Sequence, residues 1–223
     1  MGRLIFLGAV LGGVAATAAS GPASAAERIT DFKSDIAIAH DGSLTVTEVI
    51  AADVEDTLIK HGLFRVLAVT RGGRDKLAIP LRVLRVARDG HPEPYRVISG
   101  ANTQTIATGD KDTLVAPGPH LWLIAYQLRH QVKSTGGQYD RLFMDVVGAG
   151  WPLPIAKVSA TVRLPPAAVL TYSSVDGGTK GVESLARHPP QMAAFHSAHP
   201  LKAHEGMTLS VDIPRGVVQA EKQ

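Results

Sequence analysis

The chain has 223 residues, no cysteine, and 23 basic against 20 acidic side chains. Without thiols it has no disulfides, no thiolate metal site, no thiol nucleophile and no lipid attachment through an N-terminal cysteine. The near balance of charge excludes the basic surface that nucleic acid requires.

The first residues, Met1-Gly2-Arg3 and then an uncharged run from Leu4 to Ala19, have the layout of a signal peptide. That run is short for a bilayer span. Ser20-Gly21-Pro22 interrupts it, and Ala23-Ser24-Ala25 supplies a small-x-small cleavage pattern, so processing is expected after Ala25. Residues 1–25 therefore read as a leader, 26–216 as one extracytoplasmic domain and 217–223 as a C-terminal tail. No second apolar stretch of spanning length occurs between Glu27 and Gln223. The remaining length suits a single all-β domain.

Beyond the leader, the dominant hydrophobic period is two. A first strand carries Phe32, Ile36 and Ile38 inward, Asp41-Gly42 makes a tight turn, and a partner strand follows through Leu44, Val46 and Ile50. Leu58 to Val66 reads as at most a short helix or an irregular loop. From Leu77 to Val86 the apolar parity switches between Val83 and Leu84, which predicts a bulge that puts Arg82 and Arg85 together on the outward face. After the Asp89-Gly90 turn come strands over Tyr95 to Ile98 and Thr103 to Thr108. The longest strand is expected over His120 to Val132, with Trp122, Ile124, Tyr126 and Leu128 on one side and both faces covered at its start. Val158, Ala160, Val162 and Leu164 alternate with polar residues, as do Met207, Leu209, Val211 and Ile213 until Pro214 removes a ladder donor. Gly181 to Arg187 is the other segment allowed a short helix or loop. Eight to ten short strands with Gly, Pro and Asp turns predict an all-β, antiparallel two-sheet β-sandwich, immunoglobulin-like in general architecture.

Several short motifs occur in a characteristic order: Glu27-Arg28-Ile29, Asp41-Gly42-Ser43-Leu44 leading into Val46-Thr47-Glu48, Gly62-Leu63-Phe64-Arg65, Gly109-Asp110, Gly148-Ala149-Gly150-Trp151 and Ile213-Pro214-Arg215-Gly216. In this order they resemble the N-terminal, extracytoplasmic part of the bacterial predicted membrane proteins of the domain of unknown function 2207 family (DUF2207). The resemblance implies a signal peptide, a β-rich outer domain and, in typical members, a transmembrane helix with a further membrane-associated part. It implies no catalytic residue. The chain departs from the pattern at Met144-Asp145, where members carry an aromatic-Trp-Asn run, and it ends at Gln223. A stand-alone secreted version and a portion of a longer membrane protein both remain open.

Candidate chemistry is sparse. His188, His196, His199 and His204 cluster near the end without metal-ligand spacing and read as loop histidines. Asp110 and Asp112, and Asp140 and Asp145, are paired acids that read as turn formers ahead of catalytic or calcium-binding groups. No Gly-x-Ser-x-Gly elbow or phosphate loop occurs, and no cofactor or metal is expected. Glu48 shares the inward parity of Leu44, Val46 and Ile50. A lone buried carboxylate is several kcal/mol unfavourable, so Glu48 needs a partner, and Arg65 is the expected one, in a structural role. Trp122 and Trp151 are expected as core anchors. Arg71, Arg74, Arg82 and Arg85, with Lys76 and Arg88 nearby, form a basic patch that either meets an anionic lipid or envelope polymer or is a solvated strand face.

The resulting expectation is an exported binding or interaction module, periplasmic or extracellular, with an envelope protein, a glycan or a membrane-embedded partner. The alternative is a hydrolase that acts on an envelope polymer through loop carboxylates or histidines.

Overall fold

The computed structural model describes residues 26–71, 77–129, 131–166, 172–177, 182–185 and 191–220. The leader 1–25, Arg74, Lys76 and His188 lie outside them. In chain order the strands are β1 (Arg28–Ile38), β2 (Leu44–Val54), β3 (Phe64–Ala68), β4 (Thr70–Arg71), β5 (Leu77–Ala78), β6 (Leu81–Arg88), β7 (His91–Pro92), β8 (Tyr95–Ser99) and β9 (Thr103–Thr108). They continue with β10 (Gly118–Leu128), β11 (Val132–Ser134), β12 (Tyr139–Val147), β13 (Val158–Arg163), β14 (Tyr172–Gly177), β15 (Val182–Leu185), β16 (Met192–Ser197) and β17 (Met207–Pro214). The fold is all-β, with no helix among the described residues.

Eight strands form the largest sheet, in the order β15-β16-β13-β1-β2-β10-β6-β7. Four form β11-β12-β17-β14, three form β3-β9-β8, and β4 pairs β5. Strand pairing is antiparallel except where β1 runs parallel to β13, so the largest sheet is mixed rather than purely antiparallel. The exception follows from connectivity, since more than a hundred residues separate the two strands and no hairpin constrains their direction.

The first hairpin shows how local chemistry sets the register. Asp41 accepts hydrogen bonds from the Ser43 backbone N–H and hydroxyl, and Gly42 sits at φ 73°. A Cβ on Gly42 would stand 2.2 Å from the Gln219 carbonyl oxygen. The chain beyond Pro214 comes back to this turn, where Gln219 N–H donates to His40 O and Val218 is buried.

One apolar cluster joins the sheets. Phe32, Ile36, Val46, Ile50, Ile124 and Tyr126 enter it from the eight-stranded sheet, Leu142, Met144, Leu209, Val211 and Ile213 from the four-stranded one, and Leu67 and Ile106 from the three-stranded one. Each fully buried side chain of this kind contributes about 1.5–3 kcal/mol.

Several expected elements differ in extent. The strand expected over His120 to Val132 ends at Leu128, and Val132 begins a strand of another sheet. Its start is not covered on both faces, because Leu121 is exposed. The expected Leu77 to Val86 strand is divided at Pro80, which offers no N–H to a ladder. The bulge lies at Leu84: Arg85 pairs Ala125 and Val83 pairs Tyr126, so Arg82 and Arg85 share the outer face. Leu58 to Val66 is a loop that runs into β3 at Phe64, and Val182–Leu185 is a strand where a helix or loop was allowed. In the first of these, tertiary contacts hold the loop. The Glu27 carboxylate takes the N–H groups of Glu55, Leu58 and Ile59.

Candidate functional site

Alternation along β2 sends Leu44, Val46, Glu48 and Ile50 to the inner face, and all four are buried. The same parity on β10 turns Tyr126 inward, one diagonal step from Glu48, since Glu48 pairs Ile124 and Val46 pairs Tyr126. On β3 the inner position is Arg65. Three polar side chains from three strands therefore meet inside the core.

Their groups are closely matched. Arg65 Nε donates to Glu48 Oε2 at 2.8 Å and to Oε1 at 3.0 Å, and Nη2 donates to Oε1 at 2.8 Å. The Tyr126 hydroxyl donates to Glu48 Oε1 at 2.6 Å. Arg65 also bridges two strands, with Nη1 donating to Val66 O at 3.0 Å and Nη2 to Val146 O at 2.9 Å. The ion-paired side chains are 1% and 0% exposed. Burial alone would push the guanidinium pKa down, but the adjacent Glu48 carboxylate outweighs it and holds the value above that of an ordinary arginine. Burial and then Glu48 push the Tyr126 hydroxyl well above its usual pKa, so it stays protonated and remains a donor.

Aromatic packing extends this centre. The Arg65 guanidinium carbon stands 5.9 Å from the Phe32 ring centroid, and Trp151 meets Phe32 edge-on at 6.0 Å between centroids. Trp151 is buried where the Gly148-Ala149-Gly150 segment ends. Trp122 is also wholly buried, on β10 beside His120, but 5.7 Å from that ring and not in contact with the arginine centre by any ring or hydrogen bond found among the described residues.

Above Arg65 lies a cleft of about 500 Å³. One wall is β3, from Arg65 to Ala68; the other combines Phe143, Met144 and Asp145 of β12 with Gly148, Ala149 and Gly150. Leu128, Ile79 and Thr103 close one side, and Gln131 and Lys133 contribute polar groups. The lining is mainly apolar.

The remaining candidates are dispersed. Arg82 and Arg85 are exposed on the outer side of the eight-stranded sheet, and Arg82 lines a second, smaller cleft with Asp41 and Arg129. Arg71 lies on β4, whereas Arg74 is outside the described residues. Asp110 accepts from the Asp112 backbone N–H, the bond of an Asx turn. Asp140 is buried on one face of β12 while Asp145, on the other, accepts from Thr208 at 2.5 Å. His196 lies on β16, and His204 bonds the Ala149 carbonyl through Nδ1. Among the described residues no group of three or more His, Asp or Glu side chains is placed to hold a metal ion.

Tyr126 is the member of the arginine centre that sequence reasoning did not single out. Its inward parity was readable, and the polar tip of an inward tyrosine was the available signal. Two motif glycines also find their reason here. A Cβ on Gly109 would stand 1.7 Å from His61 O, and one on Gly62 would stand 2.2 Å from Thr108 O, so the backbone leading into β3 is pressed against the end of β9.

Comparison with known proteins places the chain. The family model described as the N-terminal domain of predicted membrane proteins (DUF2207) matches residues 28–213. The uncharacterized protein YciQ of Escherichia coli strain K12 is 28% identical over 152 residues, which is 67% of this chain and 24% of that protein. The chain thus spans about a quarter of the length of the curated relative it matches. Among solved structures, native yeast leukotriene A4 hydrolase superposes with a TM-score of 0.55 at 8% identity, over 83% of this chain and 29% of the hydrolase. A Parabacteroides distasonis chain provisionally assigned as a protease gives 0.51 at 9% identity, over 85% of this chain and 41% of its own. At these identities the two structures share a fold with this chain.

Proposed function

Because the chain belongs to the DUF2207 family of predicted membrane proteins, matching its N-terminal domain over residues 28–213, we propose that it is the extracytoplasmic interaction domain of a cell-envelope membrane protein and binds through the cleft above Arg65. In this reading residues 1–25 are a cleaved leader, 26–216 form the domain and 217–223 are its tail. The two larger sheets are the layers of a sandwich, immunoglobulin-like in general architecture, whose inner faces share one apolar cluster. Glu48, Arg65, Trp122 and Trp151 are structural residues, while Arg82 and Arg85 offer a secondary contact to anionic headgroups or envelope polymer.

The observation that carries the reading is the chemistry of the cleft. Its lining is mainly apolar over about 500 Å³, a size suited to a bound ligand. The arginine at its floor is already engaged by Glu48, Val66 and Val146. Apart from Thr103, Gln131, Lys133 and Asp145 at its sides, the cleft offers mainly shape and apolar contact.

The test is a titration of the isotope-labelled chain with three probes: heptapeptides of extended conformation, glycan strands of peptidoglycan, and bicelles of phosphatidylglycerol. One probe class is expected to move the amide resonances of Val66, Phe143 and Gly148 saturably and to be recovered with unchanged mass. Movement of none of these amides by any probe overturns the reading. Recovery of a cleaved glycan or peptide overturns it in favour of a hydrolase.

A further inference from the structure

The outer face of the eight-stranded sheet holds its cations in two ways. On the side of β1 and β13 each is paired, Arg28 with Asp53 at 3.2 Å, Lys33 with Asp31 at 2.8 Å and Arg163 with Asp35 at 2.5 Å. On β6 Arg82 and Arg85 are exposed, and among the described residues neither has an acidic partner. A regular strand turns residues three apart to opposite faces. The bulge at Leu84 brings both arginines to one face instead, opposite Gln127 and Ala125, with their bases about 7 Å apart.

Arg82 also lines the second cleft, of about 320 Å³, together with Asp41, Ser43, Pro80, Leu81 and Arg129. Gln127, the ladder partner of Arg82, lines it too. The Arg129 N–H donates to Pro80 O, which fixes this second arginine at the cleft. Asp41 is the one acid of the lining, and its carboxylate already accepts from the Ser43 N–H and hydroxyl. It stands 3.6 Å from Arg129 Nη2, beyond a normal hydrogen bond, so the Arg129 donors stay open to a ligand. Two arginines against one aspartate leave the cleft with a single positive charge, and Arg85 adds a second on the same face.

We infer that this second cleft binds a phosphodiester anion, presented by the headgroup of an anionic phospholipid. Planar guanidinium forks match pairs of phosphate oxygens. A diester, with one negative charge, suits the charge balance of the cleft, whereas a monoester with about two near pH 7 is repelled by Asp41. The volume lies at the lower end for ligand sites and is more than a bare tetrahedral anion fills. Pro80 and Leu81 in the lining, and the exposed Leu84 between the arginines, give the glycerol and upper acyl carbons an apolar contact. This deepens the headgroup contact assigned to Arg82 and Arg85 and rests on the placement of the domain at a cell-envelope membrane.

The experiment titrates the isotope-labelled full chain with glycerophosphoglycerol, which carries the diester without acyl chains, and with bicelles of phosphatidylglycerol or of phosphatidylcholine. It follows the Nε–H resonances of Arg82 and Arg129 and the side-chain amide of Gln127. The expected result is saturable movement with glycerophosphoglycerol, tighter binding to the phosphatidylglycerol bicelles, and no movement with phosphatidylcholine at matched lipid concentration. Arg82→Gln and Arg129→Gln should each weaken binding about tenfold, the worth of one charge-assisted contact. Arg163→Gln removes an equal charge from the paired part of the same face and should leave binding unchanged. Movement with neither diester, equal binding of the two bicelles, or equal losses in the three variants overturns the proposal. Movement with glycerophosphoglycerol alone overturns the lipid as the source. If the phosphatidylglycerol bicelles move Val66, Phe143 and Gly148 but not the two arginines, this site fails while the interaction-domain reading stands. The reverse pattern supports this site while binding through the cleft above Arg65 fails.

Discussion

The two faces of the eight-stranded sheet carry the same ionic chemistry in opposite surroundings. On the inner face Glu48, with Arg65 of β3 packed against it, is sealed in the core, and the guanidinium donates to Glu48, Val66 O and Val146 O. On the outer face Arg163 of β13 reaches Asp35 of β1 at 2.5 Å, with side chains 57% and 38% exposed. Distance alone would rank the outer pair first. Environment reverses the order, because water screens and solvates the exposed charges, whereas a buried charge that loses its partner has no solvent to replace it.

The largest expected effect breaks the inner centre. Arg65→Met should lower unfolding free energy by about 3–5 kcal/mol in urea denaturation, since Glu48 would remain buried with only Tyr126 as a donor. Adding Glu48→Gln should cost much less than its own single substitution, with non-additivity of at least about 1 kcal/mol. Additive losses would mean that the two side chains do not act as a unit.

Gly109→Ala comes next, at about 2–3 kcal/mol, because its Cβ would stand 1.7 Å from a backbone oxygen and φ is 82°. Gly90→Ala is the matched control, with a similar φ of 83° but open space around the Cβ, so strain alone should cost about 1 kcal/mol. Equal losses at the two sites would remove the role given to the contact between the β3 approach and the end of β9. Tyr126→Phe should cost about 1.5 kcal/mol, the value of one hydrogen bond to a charged acceptor that keeps its arginine.

A smaller effect tests the half-exposed carboxylate of Glu27. Its partial burial favours the neutral acid, but the N–H groups of Glu55, Leu58 and Ile59 outweigh this and lower its pKa. A depressed folded-state value gives stability that is fully present above the unfolded pKa of about 4.3 and is lost as pH falls through the folded one. Glu27→Gln should thus cost about 1 kcal/mol at pH 7, and the gap to wild type should close toward pH 3 in urea midpoints. Arg163→Ala, at the surface, should stay within about 0.5 kcal/mol.

Much of the fold was legible because a strand with one dry side writes its environment into every second residue. Ile36, Val46, Val158 and Leu209 were each assigned an inward side from parity and are buried. The bulge at Leu84 was readable for the same reason, since a slip in register must appear as a change of parity. The number of sheets was not readable, nor was the parallel pairing of β1 with β13, because pairing across long separations depends on which edges meet after the local strands have formed. The break at Pro80 has a local cause, since a residue without an N–H interrupts an otherwise regular run.

The same division holds at the site. Sequence parity alone required a partner for Glu48, because an ionised carboxylate among Leu44, Val46 and Ile50 is not tolerated unpaired. That Arg65 also spans from Val66 to Val146, that Tyr126 completes the centre, and that a cleft opens beside β3 were decided by tertiary structure. Periodicity states which side of a strand is dry, but a cavity is a property of the space between elements, and that space exists only once separate sheets have packed.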